Sequence, residues 1–372
     1  MNHSSSISVI VLAAGSARRM GAVKQLLPLN GRPLLQHVLD TVQASQADDV
    51  IVVLGHAADR IQQQIQFNGA RVVVNENHAS GMGTSLKAGL GAMNPDAEAV
   101  LVVLADQPFV KPATLDRLIA EHRASNAHVV IPTYRGFRGN PVLIDRSLFP
   151  EMMSLNGDVG CRAIFGNHLE RVVKLPLDDA GVLVDIDRQS DFEELSQSRV
   201  GKKVELPPLE HAATRAIELV NSPELVVVGR DDVALALARL ARAMRFRVTL
   251  VDPFLTVKDV PEADRILHVL DFRLLEDNPD RPVVVASRGA CDEEAIEQAL
   301  MIKSSYVGLV ASRKRGEEVR RALRVEGIAE DALARICVPA GLDIDAETPE
   351  EIALSILAQV TVERRGRAKE GA

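Results

Sequence analysis

The 372-residue chain has no tryptophan, two tyrosines and nine phenylalanines. So few rings leave no platform for stacked nucleic-acid bases. Cysteine is scarce too. Cys161, Cys291 and Cys337 lie far apart, which excludes a disulfide framework and a four-cysteine zinc site and fits a reducing cytoplasm. A basic excess is also missing. The formal net charge is −8 and both halves of the chain are acidic, unlike a nucleic-acid binder. No run reaches the ~18 consecutive apolar residues of a membrane span. The first six residues hold no basic segment ahead of the apolar run, so no secretion signal is expected. What remains is a cytoplasmic protein without nucleic-acid or membrane partners, whose basic groups act locally, at an anion site.

Hydrophobic residues make up 47% and charged residues 25%, which is a globular composition, and the length suits two domains. Short β-branched runs alternate with amphipathic stretches. Strands are expected at residues 8–12, 50–54, 71–74, 100–104, 128–132 and 142–144, with helices at 34–44, 57–67, 83–92 and 112–123. Composition shifts after residue 195. A second pattern follows, with strands at 225–228, 247–251, 265–269, 283–286 and 306–310 and a helix at 233–244. A last helix opens at Thr348-Pro349, and its charged tail from Arg364 is expected to fray. The fold class is α/β: two domains, residues 1–198 and 222–372, joined by a linker at 199–221. Each is a mainly parallel sheet flanked by helices. Ligands in such sheets bind beyond the carboxyl ends of the strands.

Three segments stand at such ends. The first strand runs into Leu12-Ala13-Ala14-Gly15-Ser16-Ala17-Arg18-Arg19-Met20-Gly21-Ala22-Val23-Lys24. Its small residues let a ligand approach the backbone, whose N–H groups can form an anion site. Arg19 offers phosphate a planar fork and Lys24 a mobile point charge. The same composition also describes a tight loop with a solvated basic rim, and it is neither a Walker A sequence nor G-x-G-x-x-G. The second segment ends a buried strand in Ala105-Asp106-Gln107-Pro108. A carboxylate there is costly unless it is paired or holds a metal. Mg2+ held by one or two carboxylates plus substrate phosphates is one use; a turn or helix N-cap ahead of Pro112 is the other. The third, Val184-Asp185-Ile186-Asp187-Arg188, has two acids that an extended backbone turns to opposite sides, so at most one faces a shared metal. The histidines are scattered without metal-ligand spacing.

Together these segments, over residues 7–195, resemble the MobA-like nucleotidyltransferases, and among them the molybdenum cofactor cytidylyltransferase branch. The family opening L-A-A-G-x-S-x-R-M-G-x-x-K is matched at Leu12, Ala13, Ala14, Gly15, Arg19, Met20, Gly21 and Lys24. Its serine position holds Ala17, with Ser16 one place earlier. Further marks recur in order: Gln25-Leu26-Leu27-Pro28-Leu29, Asn75, Gly81-Met82-Gly83-Thr84-Ser85-Leu86, Ala105-Asp106-Gln107-Pro108, Gly139-Asn140-Pro141-Val142, Gly157-Asp158-Val159-Gly160-Cys161-Arg162 and Asp185-Ile186-Asp187.

The resemblance implies transfer of CMP from CTP to the phosphate of molybdenum-molybdopterin, with release of pyrophosphate. It implies catalytic roles for Arg19, Lys24 and Asp106, and nucleotide contacts from Leu12, Ala13, Ala14, Gly15, Asn75, Gly81 and Ser85. Asn140, Asp158 and Arg162 would face the acceptor. Asp106 and Asp187, rather than Asp185, would hold Mg2+. In this family Leu-Ala-Ala-Gly goes with cytidylyl transfer and Leu-Ala-Gly-Gly with guanylyl transfer; the Ala14 methyl would crowd a purine. The implied partners are CTP, the molybdopterin cofactor and a molybdenum hydroxylase apoenzyme. The alternatives are a related transferase using GTP or another phosphorylated acceptor, and a non-catalytic cofactor carrier or insertion factor.

In the second half, Val228-Gly229-Arg230-Asp231-Asp232-Val233-Ala234 stands where a Rossmann turn would stand, and Asp252 where a ribose-binding acid would. Yet the second glycine position holds Asp231, which adds bulk and charge where backbone should approach a pyrophosphate. A retained fold without dinucleotide binding is expected. Residues 225–360 resemble the C-terminal Rossmann domain of the XdhC/CoxI accessory family, through Tyr306-Val307-Gly308-Leu309-Val310-Ala311-Ser312-Arg313-Lys314-Arg315 and Pro339-Ala340-Gly341-Leu342-Asp343-Ile344. That resemblance implies a domain that holds or delivers the cofactor. Cys291, beside Asp292 near a helix start, is expected to be an ordinary buried residue rather than a stabilised thiolate. Ser312-Arg313-Lys314-Arg315 reads equally as a phosphate or pterin contact and as a solvated helix start.

Overall fold

The structure, a computed structural model, describes residues 6–15, 23–157, 160–165, 167–186, 223–276, 278, 280–302 and 304–370. The expected linker at 199–221 lies outside them. The chain divides into two compact units, one drawn chiefly from residues 1–204 and the other from 205–372. Both are mainly parallel sheets flanked by helices, as the alternating pattern predicts.

In the first unit, β1 (Ile7–Ala13), β2 (Asp49–Leu54) and β3 (Arg71–Val74) pair parallel in that order, with α1 (Leu34–Gln43) and α2 (Ala58–Gln64) in the connections. After α3 (Met82–Ala92) the chain crosses to the other side of β1, where β4 (Ala99–Leu104) pairs parallel with it. Next come α4 (Pro112–Ala124) and β5 (Val129–Tyr134). β6 (Val142–Asp145) then inserts antiparallel between β4 and β5, and β7 (Val172–Pro176) lies parallel beside β5. The spatial path is β7-β5-β6-β4-β1-β2-β3.

β1 shows why such a strand reads as an unbroken apolar run. Val9, Val11 and Ala13 pack under Leu35 and Leu39 of α1 and Leu115 and Leu118 of α4. Ile10 and Ala14 face Leu86 of α3 and Met152 of α5 (Phe149–Ser154) on the opposite side. Both faces are covered, so no polar alternation is tolerated. Each fully buried Leu or Ile contributes about 1.5–3 kcal/mol.

The second unit runs β8 (Glu224–Val228), α6 (Asp232–Ala243), β9 (Arg247–Val251), β10 (Arg265–Leu267), β11 (Pro282–Val285), α7 (Asp292–Met301), β12 (Tyr306–Leu309), α8 (Arg313–Val325), β13 (Ile336–Cys337) and α9 (Pro349–Glu370). Its parallel order, β10-β9-β8-β11-β12-β13, is the doubly wound dinucleotide-fold order. Ile356, Leu357 and Val360 of α9 join the core formed with Leu237 and Ala241 of α6. The helix α9 runs through Glu370. Arg364 anchors it, 2.6 Å from Asp280 and with its guanidinium 5.1 Å from the Phe246 ring centroid. Among the described residues no helix is long and apolar enough to cross a membrane.

Candidate active site

In the first sheet the connections reverse direction between β1 and β4, which opens a crevice at the carboxyl ends of those two strands. β1 delivers Ala13, Ala14 and Gly15 there, and β4 delivers Asp106 two residues past its end. The ends are held level: Leu12 pairs with Leu104, and the Ala105 N–H donates to the Leu12 carbonyl at 3.2 Å. A single 3-10 turn, Lys24–Leu26, brings the chain back across the crevice. From it Lys24 Nζ donates to Asp106 Oδ2 at 2.9 Å. Among the described residues, nothing donates to the other oxygen of Asp106, Oδ1, which is buried. A buried polar atom in that state costs about 1–3 kcal/mol unless a ligand completes it. Gly15 points the same way. It has no positive φ, and a Cβ there would meet nothing within 4 Å, so the described fold makes no demand for glycine.

A later segment is pressed against the end of β4. The Ile186 N–H donates to the Asp106 carbonyl at 3.0 Å. Gln107 Nε2 donates to Asp185 Oδ1 at 2.6 Å and to the Val182 carbonyl at 3.3 Å. The Val182 carbonyl also accepts the Asn140 N–H at 3.0 Å. Two glycines permit this packing: a Cβ at Gly181 would lie 2.2 Å from the Phe109 carbonyl oxygen, and one at Gly139 would lie 2.5 Å from that of Val182. Asn140 is thereby brought beside the Asp106 end of β4. Arg162, half-buried, opens a short helix, Arg162–Phe165.

On the other flank, Asn75 and Ser85 are buried and bound to each other. Asn75 Nδ2 donates to Ser85 Oγ at 3.0 Å and to Thr84 Oγ1 at 2.8 Å, which ties β3 to the start of α3. Gly81, just before that helix, has φ +107°. The Gly83 N–H donates to the Gly157 carbonyl at 3.1 Å, so α3 also holds the segment ahead of Asp158. An open cavity of about 440 Å³ lies at the ends of β2 and β3, lined by residues including Gly55, Asp59, Arg60, Asn75 and His78. A Cβ at Gly55 would come within 2.9 Å of Ala14 Cβ and 2.6 Å of His78 Cβ, so Ala14 and this cavity share a wall. Nothing in the local sequence marks that cavity.

Of the residues expected in the site, Lys24 and Asp106 touch; the Ala13 and Gly15 carbonyls are bound by Gln25, next to Lys24, and the Asn140 N–H shares the Val182 carbonyl with Gln107, next to Asp106. Arg19, Asp158 and Asp187 lie outside the described residues. No group of three or more histidine, cysteine or acidic residues positioned to hold a metal occurs among the described residues. Two buried amides, Gln25 and Gln107, stand out only in the structure.

In the second unit, Gly229 has φ +121° and abuts the Ala286 carbonyl, where a Cβ would come within 2.2 Å. Asp231 caps α6, its Oδ1 accepting the Ala234 N–H at 2.9 Å, while Arg288 Nε donates to its Oδ2 at 2.9 Å. Asp252 is buried, and burial pushes its carboxyl above the usual carboxylate range, against the opposing pull of Arg230. Cys291 is fully buried and burial drives its thiol upward, so it is no stabilised thiolate. Ser312 caps α8, and Arg315 is bound to Asp292 and Glu293 at 3.0 and 2.7 Å, which favours the helix-start reading of that segment.

Residues 9–172 match the family described as MobA-like NTP transferase domain, and residues 225–360 match the XdhC Rossmann domain. Nicotine blue oxidoreductase of Paenarthrobacter nicotinovorans is 35% identical over 163 residues, 42% of this chain and 79% of that protein. The uncharacterized protein YqeB of Escherichia coli K12 is 34% identical over 145 residues, but the chain spans only 27% of its length. Among solved structures, Rv0371c of Mycobacterium tuberculosis H37Rv is 32% identical, with 52% of this chain and 98% of that one covered and a TM-score of 0.48.

Proposed function

Because the chain belongs to the MobA-like NTP transferase family over residues 9–172 and carries an XdhC Rossmann domain over residues 225–360, we propose that its first unit transfers CMP from CTP to the phosphate of molybdenum-molybdopterin. Pyrophosphate is released, and the product serves the maturation of molybdenum hydroxylases. One observation supports this above the rest. At the β1–β4 crevice Lys24 contacts Asp106, and among the described residues nothing crowds Gly15 or pairs with the second, buried Asp106 oxygen.

An unpaired carboxylate oxygen is the donor that a hard cation takes, so Asp106 fits a Mg2+ ion, with Asp187 as its second ligand. Asp185 is already held by Gln107. When bound, Mg2+ would neutralise charge on the transferring phosphates. The chain's own residues supply the rest. The loop from Leu12 to Gly15 lies along the triphosphate, while Lys24 and Arg19 stabilise the leaving pyrophosphate. Asn140, Asp158 and Arg162 orient the acceptor. Its phosphate oxygen attacks the α-phosphorus in line; the new P–O bond forms as the bond to the α–β bridging oxygen breaks, and pyrophosphate leaves with that electron pair. No protein nucleophile is required, because positioning and charge neutralisation supply most of the rate. The second unit holds the product or delivers it to the apoenzyme.

The deciding experiment measures pyrophosphate release with each of the four NTPs, with and without molybdopterin cofactor. Release fastest with CTP and dependent on the cofactor is expected. The name of the Paenarthrobacter relative raises a redox reading. Oxidation of NADH or NADPH without pyrophosphate release would overturn the transferase.

Two further results are expected. CTP should exceed GTP in kcat/KM by about 10- to 200-fold, the range of one well-placed steric contact, and Ala14→Gly should narrow the gap. Equal use of CTP and GTP by the wild type would defeat that argument. Gly15→Ala should leave Tm within about 2 °C, since the new methyl meets no described atom. It should nonetheless raise KM for CTP about 10- to 100-fold, because the methyl occupies the ligand's space. An unchanged KM would remove Gly15 from the site.

A further inference from the structure

Gln25 follows Lys24 in the turn across the crevice and is only 5% exposed. Its Nε2 donates to the Ala13 carbonyl at 2.7 Å and to the Gly15 carbonyl at 3.0 Å. Both hydrogens of one amide are therefore spent on the first loop, on either side of Ala14. A carbonyl cannot turn without its whole peptide plane, so fixing two carbonyls fixes two planes and the N–H directions that belong to them. The other end of the amide, Oε1, is buried and accepts nothing from the described residues. A glutamine that served packing alone would be expected to satisfy that oxygen or to be replaced by an apolar chain.

We propose that Gln25 is the positioning residue of the nucleotide loop. Its amide draws the Ala13 and Gly15 carbonyls to the protein side and keeps their oxygens out of the path of a triphosphate. Left free, those carbonyls could turn toward the phosphates and repel them. The unpaired Oε1 is set to accept a donor from the bound nucleotide. Gln25 thus acts on the nucleotide chiefly through the backbone, and its loss should weaken CTP binding more than it slows chemistry. This inference rests on the transferase reading above.

The test compares the full-length wild type with Gln25→Met and Gln25→Glu. CTP affinity in the presence of Mg2+ is read by calorimetry, and kcat and KM by pyrophosphate release with molybdopterin cofactor. Gln25→Met, which keeps the length and removes both donors, should raise Kd and KM for CTP about 10- to 100-fold. Its kcat should change less than about threefold. Gln25→Glu carries a different signature. Ionised, it turns a carboxylate onto two carbonyl oxygens and should bind CTP worse than Gln25→Met. Protonated, it regains one O–H donor. Burial favours the neutral acid, so its KM relative to wild type should fall several-fold as pH drops from about 8 to 6. The same ratio for Gln25→Met should stay flat. A purely structural role would lower Tm in both variants without that pH signature. Wild-type KM in Gln25→Met, or a flat ratio in Gln25→Glu, overturns the Gln25 assignment alone. Failure of the wild type to bind any NTP overturns the transferase reading with it.

Discussion

Asp106→Asn is expected to lower the proposed CMP transfer by about 10³-fold or more, with Tm within about 3 °C of wild type. The substitution keeps the size of the side chain, and its amide oxygen can still accept from Lys24. It removes the negative charge from the one described carboxylate that combines a lysine contact with an unpaired buried oxygen. A site that would hold a divalent ion depends on that charge, and excess ion should restore only part of the rate. The assay therefore runs across a range of Mg2+ concentrations, with circular dichroism as the control for folding. Asp187→Asn should behave alike. Asp185→Asn should cost much less, because Asp185 is bound by Gln107 and acts on the position of its segment. Wild-type rates in Asp106→Asn would remove Asp106 from the metal site and leave its unpaired oxygen without explanation.

The strands that form the crevice were legible because burial on both faces imposes an uninterrupted apolar run, as in Ile7–Ala13. Two of the four edge strands were not. Val172–Pro176 carries Lys174 and ends in proline, and Ile336–Cys337 is two residues long, so neither presents a strand pattern of its own. The reversed direction of Val142–Asp145 is likewise absent from its local sequence, because it arises from pairing with two distant strands. The helix expected at 57–67 stops at Gln64, where Ile65 turns extended and its ring of glutamines gives way to an Asn68-Gly69 turn.

The same division holds within the site. Lys24 and Asp106 were visible as charges at strand ends, and the fold supplies their contact across 82 positions. The capture of Asp185 by Gln107 carries no local signature, because it joins residues 78 positions apart. Gln25 could not be recognised, because a glutamine is unremarkable until burial shows that one end of its amide is fully used and the other is not.

Titration of NAD or NADP into the full chain, with the first unit saturated by CTP, is expected to show no binding below about 1 mM, a ceiling of only about 4 kcal/mol. The second unit keeps the strand order of a dinucleotide fold, yet its own residues fill the positions a dinucleotide would use. Gly229 is required by the Ala286 carbonyl packed against it, so its presence is no sign of a ligand. At the N-terminus of α6, where a pyrophosphate would be drawn by free N–H groups, the Asp231 carboxylate accepts from Ala234 and is held from the other side by Arg288. An incoming pyrophosphate would have to displace that carboxylate, break its ion pair and tolerate its charge. Asp252, at the ribose position, has one oxygen taken by the Phe254 and Leu255 N–H groups at 2.9 and 3.1 Å. Arg230 stands 4.0 Å from the other and stacks on Phe254, which closes the approach further. Micromolar affinity for NAD would show that these contacts open readily, and would make Asp252 a ribose ligand and the second unit an active dinucleotide site.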